Sequence, residues 1–155
     1  MKENIGIVTT WFERGASYIS RQYEKLLQDD YNVYIYARGG IYEKNNPVYN
    51  RENVWWGRRD GRPISAAINL EDFRKWIESR NITVVLFNEQ SWWVPVIECR
   101  KLGVVAIAYI DYYTKDTVPL FELYDAVICN TRRHYSVFSW HQGAHYIPYG
   151  VDLDI

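Results

Sequence analysis

The sequence predicts a doubly wound, Rossmann-like α/β domain, a mostly parallel sheet of about 6–7 strands with helices on both faces. Three observations carry that prediction. Apolar runs of strand length alternate with segments of helical periodicity along nearly the whole chain. Two runs, "ITVVLFN" at 82–88 and "VVAIAYI" at 104–110, are continuously apolar, as strands buried on both faces are. The segments between strands are long enough for the helical crossovers that parallel pairing requires. With 155 residues, the chain can bury one full core.

The first strand is "IGIVTT" (5–10). After Gly15, the residues Ile19, Tyr23, Leu26 and Leu27 stand at i, i+4, i+7 and i+8, the inward stripe of an amphipathic helix. "YNVYIYA" (31–37) is the second strand. From Arg38 to Pro63 the chain is polar, with Asn45-Asn46-Pro47 and several glycines around a short strand, "NVWW" (53–56). Asn69 caps the next helix, with Glu71 and Asp72 in the first turn, where the helix dipole favours anions. Its inward stripe is Phe73, Trp76 and Ile77. The run 82–88 follows, then a helix over 92–102 that stops at Gly103. After the strand 104–110 come a short helix at 118–124 and a strand, "AVICN" (126–130). Thr131 caps "RRHYSVFSWHQ", Gly143 ends that helix, and "AHYIP" (144–148) is the last strand.

Composition removes several function classes. A net charge of −1 gives no broad electrostatic hold on nucleic acid or anionic lipid. No apolar run approaches the ~20 residues of a membrane span. "MKENIGIVTT" has no apolar stretch of signal-peptide length, which points to a cytoplasmic protein. Cys99 and Cys129 form no C-x-x-C pair and fall in apolar segments, so two buried reduced thiols are expected. The aromatic share is the unusual feature: 7 Trp and 14 Tyr are more than alternating core positions explain.

The turn after the first strand, "WFERGAS", holds one glycine. It lacks the G-x-G-x-x-G of dinucleotide sites, and no G-K-[ST] follows. Gly15 can be a simple turn. It can also open an anion site, because small residues at a helix start leave free N–H groups. Ligands of open α/β sheets bind beyond the carboxyl ends of the strands. Those ends carry Trp11 to Gly15, Arg38-Gly39-Gly40, Trp56 with Arg58 and Arg59, Asn88-Glu89-Gln90 with Trp92-Trp93, and Asp111-Tyr112-Tyr113. Aromatics mixed with carboxylates, amides and arginines suit a sugar or another amphipathic ligand. The alternative is that the aromatics only seal a loop-rich face. There is no G-x-S-x-G and no zinc-helix motif, and His134, His141 and His145 do not share a helix face, so no metal site is expected. Arg132, Arg133 and His134 read as a solvated helix start, with a phosphate role open.

Two stretches carry a family likeness. "IGIVTTWFERGASYISRQYEKLLQDDYNVYIYARGG" resembles the start of bacterial glycosyltransferases with the two-Rossmann-domain B-fold, of the type that assembles surface polysaccharides. "YDAVICNTRRHYSVFSWHQGAHYIPYGVDLDI" is similar to the family's approach to its interdomain linker, where Ile147-Pro148-Tyr149-Gly150-Val151-Asp152 fits "vIPxGvD". The resemblance implies that 1–155 is the N-terminal, acceptor-side domain, ending at the linker, with the C-terminal nucleotide-sugar domain outside this chain. It implies transfer from a nucleotide-sugar donor to a saccharide or lipid-linked acceptor, with no cofactor or metal. The chain is then inactive alone, partnered by its own C-terminal domain. Nucleic acid is no partner, and membrane contact is at most peripheral, at the inner face of the cell membrane.

By the same resemblance, Gly15, Ala16 and Ser17 form the loop that approaches the donor phosphates. Arg14, Asn88, Trp92 and Tyr112 contact the acceptor. Many members place a histidine after the fifth strand, where this sequence has Asp111. The E-x7-E pair of retaining members is missing from this chain. Inverting members commonly carry an acidic base in the first domain, so Asp111 or Glu89 can serve. A standalone Rossmann-type ligand-binding or regulatory domain without catalysis is the alternative. A continuing second α/β unit of ~200 residues after Ile155 separates the two readings.

Overall fold

The computed structural model describes residues 1–62 and 66–154. Pro63, at the end of the polar excursion predicted over 38–63, lies outside the described residues. Among the described residues, seven strands form one sheet: β1 (Glu3–Thr10), β2 (Tyr31–Arg38), β3 (Val54–Trp56), β4 (Val84–Asn88), β5 (Val105–Tyr109), β6 (Ala126–Cys129) and β7 (Ala144–Tyr146). Their order is β3-β2-β1-β4-β5-β6-β7, and every pair is parallel. The α/β doubly wound fold is therefore the one observed. Strand order reverses between β1 and β4, which opens a crevice at their carboxyl ends.

Helix α1 (Gly15–Leu27) covers one face, with Ile19, Tyr23 and Leu27 packed on Ile7, Ile35 and Leu86. Leu26, expected in that stripe, is exposed, because i, i+4, i+8 alone faces the sheet. The other face carries α2 (Leu70–Arg80), α3 (Val94–Lys101) and α4 (Arg132–Phe138). Phe73, Trp76 and Ile77 of α2 are buried there, as their spacing predicted. The Asn69 side chain accepts from the Asp72 N–H at 3.0 Å, and the Thr131 hydroxyl accepts from the His134 N–H at 3.0 Å, so both caps are real. Gly103 sits at φ +71° beyond α3, the left-handed stop expected of it. Cys99 and Cys129 are buried free thiols.

Beyond shifts of one or two residues at element ends, three segments differ from expectation. The segment at 118–124 is a 3₁₀ helix, Val118–Leu123, with Pro119 in its first turn. Helix α4 ends at Phe138, well before Gly143. There the ring of His141 turns inward and donates from Nε2 toward the carbonyls of Phe121 and Tyr124, at 3.0 and 2.9 Å, while Nδ1 accepts from the Gly143 N–H. Gly143 itself makes room, since a Cβ would stand 2.2 Å from the Asp125 carbonyl oxygen. Finally, a 3₁₀ turn at Ile41–Asn45 follows β2, reached through Gly39 and Gly40, both at positive φ. A Cβ on Gly40 would meet the Trp11 carbonyl at 2.4 Å, so this turn presses against the loop after β1.

Candidate functional site

Two adjoining cavities lie at the carboxyl ends of the strands. The larger, about 350 Å³, runs between the ends of β1, β2, β3, β4 and β5. The smaller, about 300 Å³, lies under the first turn of α1. Arg14, Glu89, Tyr109 and Asp111 line both and form the partition between them.

The first turn of α1 borders the smaller cavity with Gly15 and Ala16. Arg14 occupies the cap position in extended backbone and caps no N–H with its side chain, and the first turn holds no acidic residue. The N–H groups of Gly15 and Ala16 thus lack an internal acceptor. Gly15 has ordinary negative φ, and a Cβ there would meet nothing within 4 Å. The turn does not need a glycine; the open space in front of it is what the missing side chain preserves. Ser17 differs from the expectation that grouped it with Gly15 and Ala16. Its side chain is fully buried, its hydroxyl has no partner, and its N–H donates to the Arg14 carbonyl at 3.1 Å.

Asn88 ends β4 and ties that strand to α1, its Nδ2 donating to the Ala16 carbonyl and the Ser20 hydroxyl, both at 2.9 Å. Glu89, next in the chain, stands at φ +55°, a left-handed conformation costly for a residue with a side chain. Arg38, at the end of β2 and only 6% exposed, holds it there: one terminal nitrogen donates to the carbonyls of Asn88 and Glu89, at 2.7 and 2.9 Å. Arg14 bonds the Glu89 carboxylate at 3.1 Å.

Asp111 and Glu89 line the same two cavities, so the two carboxyls stand at one place on the partition. Burial, and then Asp111, push the Glu89 pKa above the ordinary carboxylate value, against the opposing pull of Arg14. Beyond the two carboxyls, Asn130 at the end of β6 donates to the Tyr109 hydroxyl at 2.9 Å and meets His134 Nδ1 at 2.8 Å. Burial lowers the His134 pKa, with the Asp111 charge opposing it. Among the described residues, no group of three or more His, Cys, Asp or Glu is placed to hold a metal ion.

The topology thus brings Gly15, Asn88, Glu89 and Asp111 together around the smaller cavity, with Arg14 and Ala16. Tyr112 lines the larger one, 75% exposed. Trp92 borders neither and instead carries the Arg62 guanidinium 5.3 Å above its ring. Part of the aromatic rim packs on the core. Trp11 is fully buried and donates to the Tyr49 carbonyl at 2.7 Å, Trp93 packs edge-on against Phe121, and Tyr113 packs on Phe138. The sequence reading passed over Tyr109, Asn130 and Tyr149. Asn130 directly follows β6, so the strand-end rule extended one strand further would have found it.

Solved structures share this fold over nearly the whole chain. The chain is similar to MurG of Acinetobacter baumannii at a TM-score of 0.70 and 11% identity, covering 98% of this chain and 46% of that one. UDP-N-acetylglucosamine 2-epimerase of Rickettsia bellii matches at 0.70 and 13%, over 94% and 44%. A glycosyltransferase of Rickettsia africae matches at 0.67 and 13%, over 99% and 44%. The chain spans less than half the length of each. No protein-family model and no curated protein matches the sequence. At this identity the likeness establishes architecture. The chain has the Rossmann-like fold of one unit of a B-fold glycosyltransferase, the fold its sequence resemblance implied. No described helix is long and apolar enough to cross a membrane.

Proposed function

We propose that the chain is the acceptor-side domain of a glycosyltransferase that moves a sugar from a nucleotide-sugar donor to a saccharide or lipid-linked acceptor. The observation that carries this reading is the partition. One carboxylate pair, Glu89 and Asp111, lines two adjoining cavities, one under an uncapped helix start and one rich in arginine. A transferase needs that division, with donor phosphates on one side, acceptor on the other and a base between.

Gly15 and Ala16 present their N–H groups to the donor phosphates, and Gly15 leaves space for close approach. The nucleotide belongs to a second Rossmann-like unit beyond this chain, so these residues alone bind nucleotide sugars weakly and transfer nothing. Asp111, backed by Glu89, takes the proton from the attacking acceptor hydroxyl, while burial holds the Glu89 carboxyl above its ordinary value. Arg14 holds the Glu89 carboxylate, Asn88 fixes the loop that carries it, and Tyr112 offers a ring face to the acceptor. Trp92 lies outside the cavities and steadies the wall through Gln90, whose Nε2 donates to the Trp92 carbonyl at 2.7 Å. The reaction runs in the cytoplasm, at the inner face of the membrane when the acceptor is lipid-linked.

The similarity to an epimerase named for a nucleotide sugar favours a second reading, epimerisation without transfer. The larger cavity argues for transfer, because an epimerase has no acceptor to house. Incubating the intact protein with a panel of nucleotide sugars separates the two. Transfer, or slow hydrolysis where the acceptor is missing, releases free nucleotide, whereas an epimerase converts the sugar and keeps it attached. Absence of both products from every donor would refute the reading.

A further inference from the structure

We infer that the larger cavity receives an oxyanion, a phosphate or a sugar carboxylate carried by the acceptor, gripped by Arg38, Arg58 and Arg59. Assigning the anion to the acceptor rests on the transfer reading above; the anion site itself does not.

The charge balance is the first ground. The chain as a whole carries −1, yet four arginines line this cavity against two carboxylates. Only Arg14 has an ion pair there, with Glu89. Among the described residues, Arg38, Arg58 and Arg59 face no carboxylate within ion-pair distance. For exposed Arg58 and Arg59 that is ordinary. For Arg38, 6% exposed, it is not, because a buried guanidinium without a counter-ion is costly. Burial lowers its pKa only to about 10, so it stays cationic at neutral pH.

The second ground is independent of charge. Buried polar atoms nearly always have partners. Among the described residues, five buried side-chain atoms have none, and three of them, Thr10 Oγ1, Arg38 Nε and Gln90 Oε1, belong to residues lining this one cavity. A guanidinium fork matches a carboxylate or phosphate with paired hydrogen bonds, and Phe12 and Tyr112 on the same wall offer flat faces to an attached sugar ring.

The test is calorimetric titration of the intact protein, without donor, at about 0.15 M salt, using inorganic pyrophosphate, glucuronate and neutral glucose. The expected result is that one of the two anions binds at least about tenfold more tightly than glucose, and that R58Q/R59Q weakens it about tenfold. Melting of the unliganded protein stays unchanged, since neither side chain has a described ion pair. Preference for pyrophosphate assigns a phosphate-bearing acceptor, and preference for glucuronate an acidic sugar. The inference is overturned if neither anion binds, if glucose binds as well, or if R58Q/R59Q binds as wild type. It is also overturned if G15A, across the partition, abolishes anion binding while R58Q/R59Q does not, because the anion then sits at the helix start. A protein that binds the anion but turns over no nucleotide sugar would refute the transfer reading alone.

Discussion

At the amino ends of the strands, Asn4 donates to the Arg80 carbonyl at 2.7 Å and accepts from Asn32 at 2.8 Å, and the Thr83 hydroxyl donates to Glu3 at 2.7 Å. Asp125 accepts from the Ala106 N–H at 2.8 Å. None of the buried atoms without partners belongs to these residues. At the carboxyl ends of the same strands, Thr10, Arg38 and Gln90 carry orphaned atoms, Glu89 is held in a left-handed conformation, and two carboxylates line the same cavities. The amino end spends its polar groups on closing the fold. The carboxyl end keeps strain, like charge and unfilled hydrogen-bonding capacity, the features that persist where a ligand completes the site.

The sharpest way to break this contrast is at the carboxylates. In the intact protein, Asp111→Asn should lower turnover ~10²–10⁴-fold, with little change in substrate affinity or melting temperature. D111N/E89Q should be only slightly slower than D111N, because the two act as one base. Additive losses, or a defect confined to KM, would assign Asp111 a contact role.

Gly15→Ala comes next. Its Cβ meets open space at negative φ, so stability should hold or rise slightly, while turnover falls roughly 10–100-fold as the donor is held off. Unchanged kinetics would remove the smaller cavity from the donor path.

At the opposite end, Asn4→Ala should cost about 1 kcal/mol in denaturant unfolding and leave turnover unchanged. A catalytic defect there would contradict the division of roles between the two ends.

The smallest effect is a pH dependence. Folded Glu89 holds its proton to higher pH than it does in the unfolded chain, because its pKa is raised. Its contribution to stability is therefore full below the ordinary carboxylate value and is lost as pH rises through the raised one. Glu89→Gln should flatten that fall in thermal melts. Parallel curves for wild type and variant would mean that Glu89 does not titrate in that window.

The fold was legible because buried parallel strands announce themselves as continuous apolar runs and because Asn69, Gly103 and Thr131 punctuate the helices between them. Residues nearly a hundred positions apart could be placed in one crevice, since the strand-end rule needs only the order of elements. Of the rim aromatics, Trp11 is fully buried for a physical reason. Ile5, Ile7 and Trp11 share one face, so the inward alternation of β1 continues one residue past its end and buries Trp11. The early end of α4 was hidden because the ring of His141 bonds carbonyls about twenty residues earlier in the chain. Arg38 was visible as a strand-end arginine. That it is buried and without a carboxylate is a fact of packing against Asn88 and Glu89.

Hydrogen exchange of the intact protein, with and without the best-binding member of a nucleotide-sugar panel, tests the central claim most directly. Amides in the first turn of α1, around residues 15–18, and after β4, around 88–91, should exchange more slowly with ligand. Those at 30–33 and 81–83, at the amino ends, should exchange as before. Protection confined to the amino ends, or no response at either carboxyl-end segment from a ligand that binds, would contradict the account.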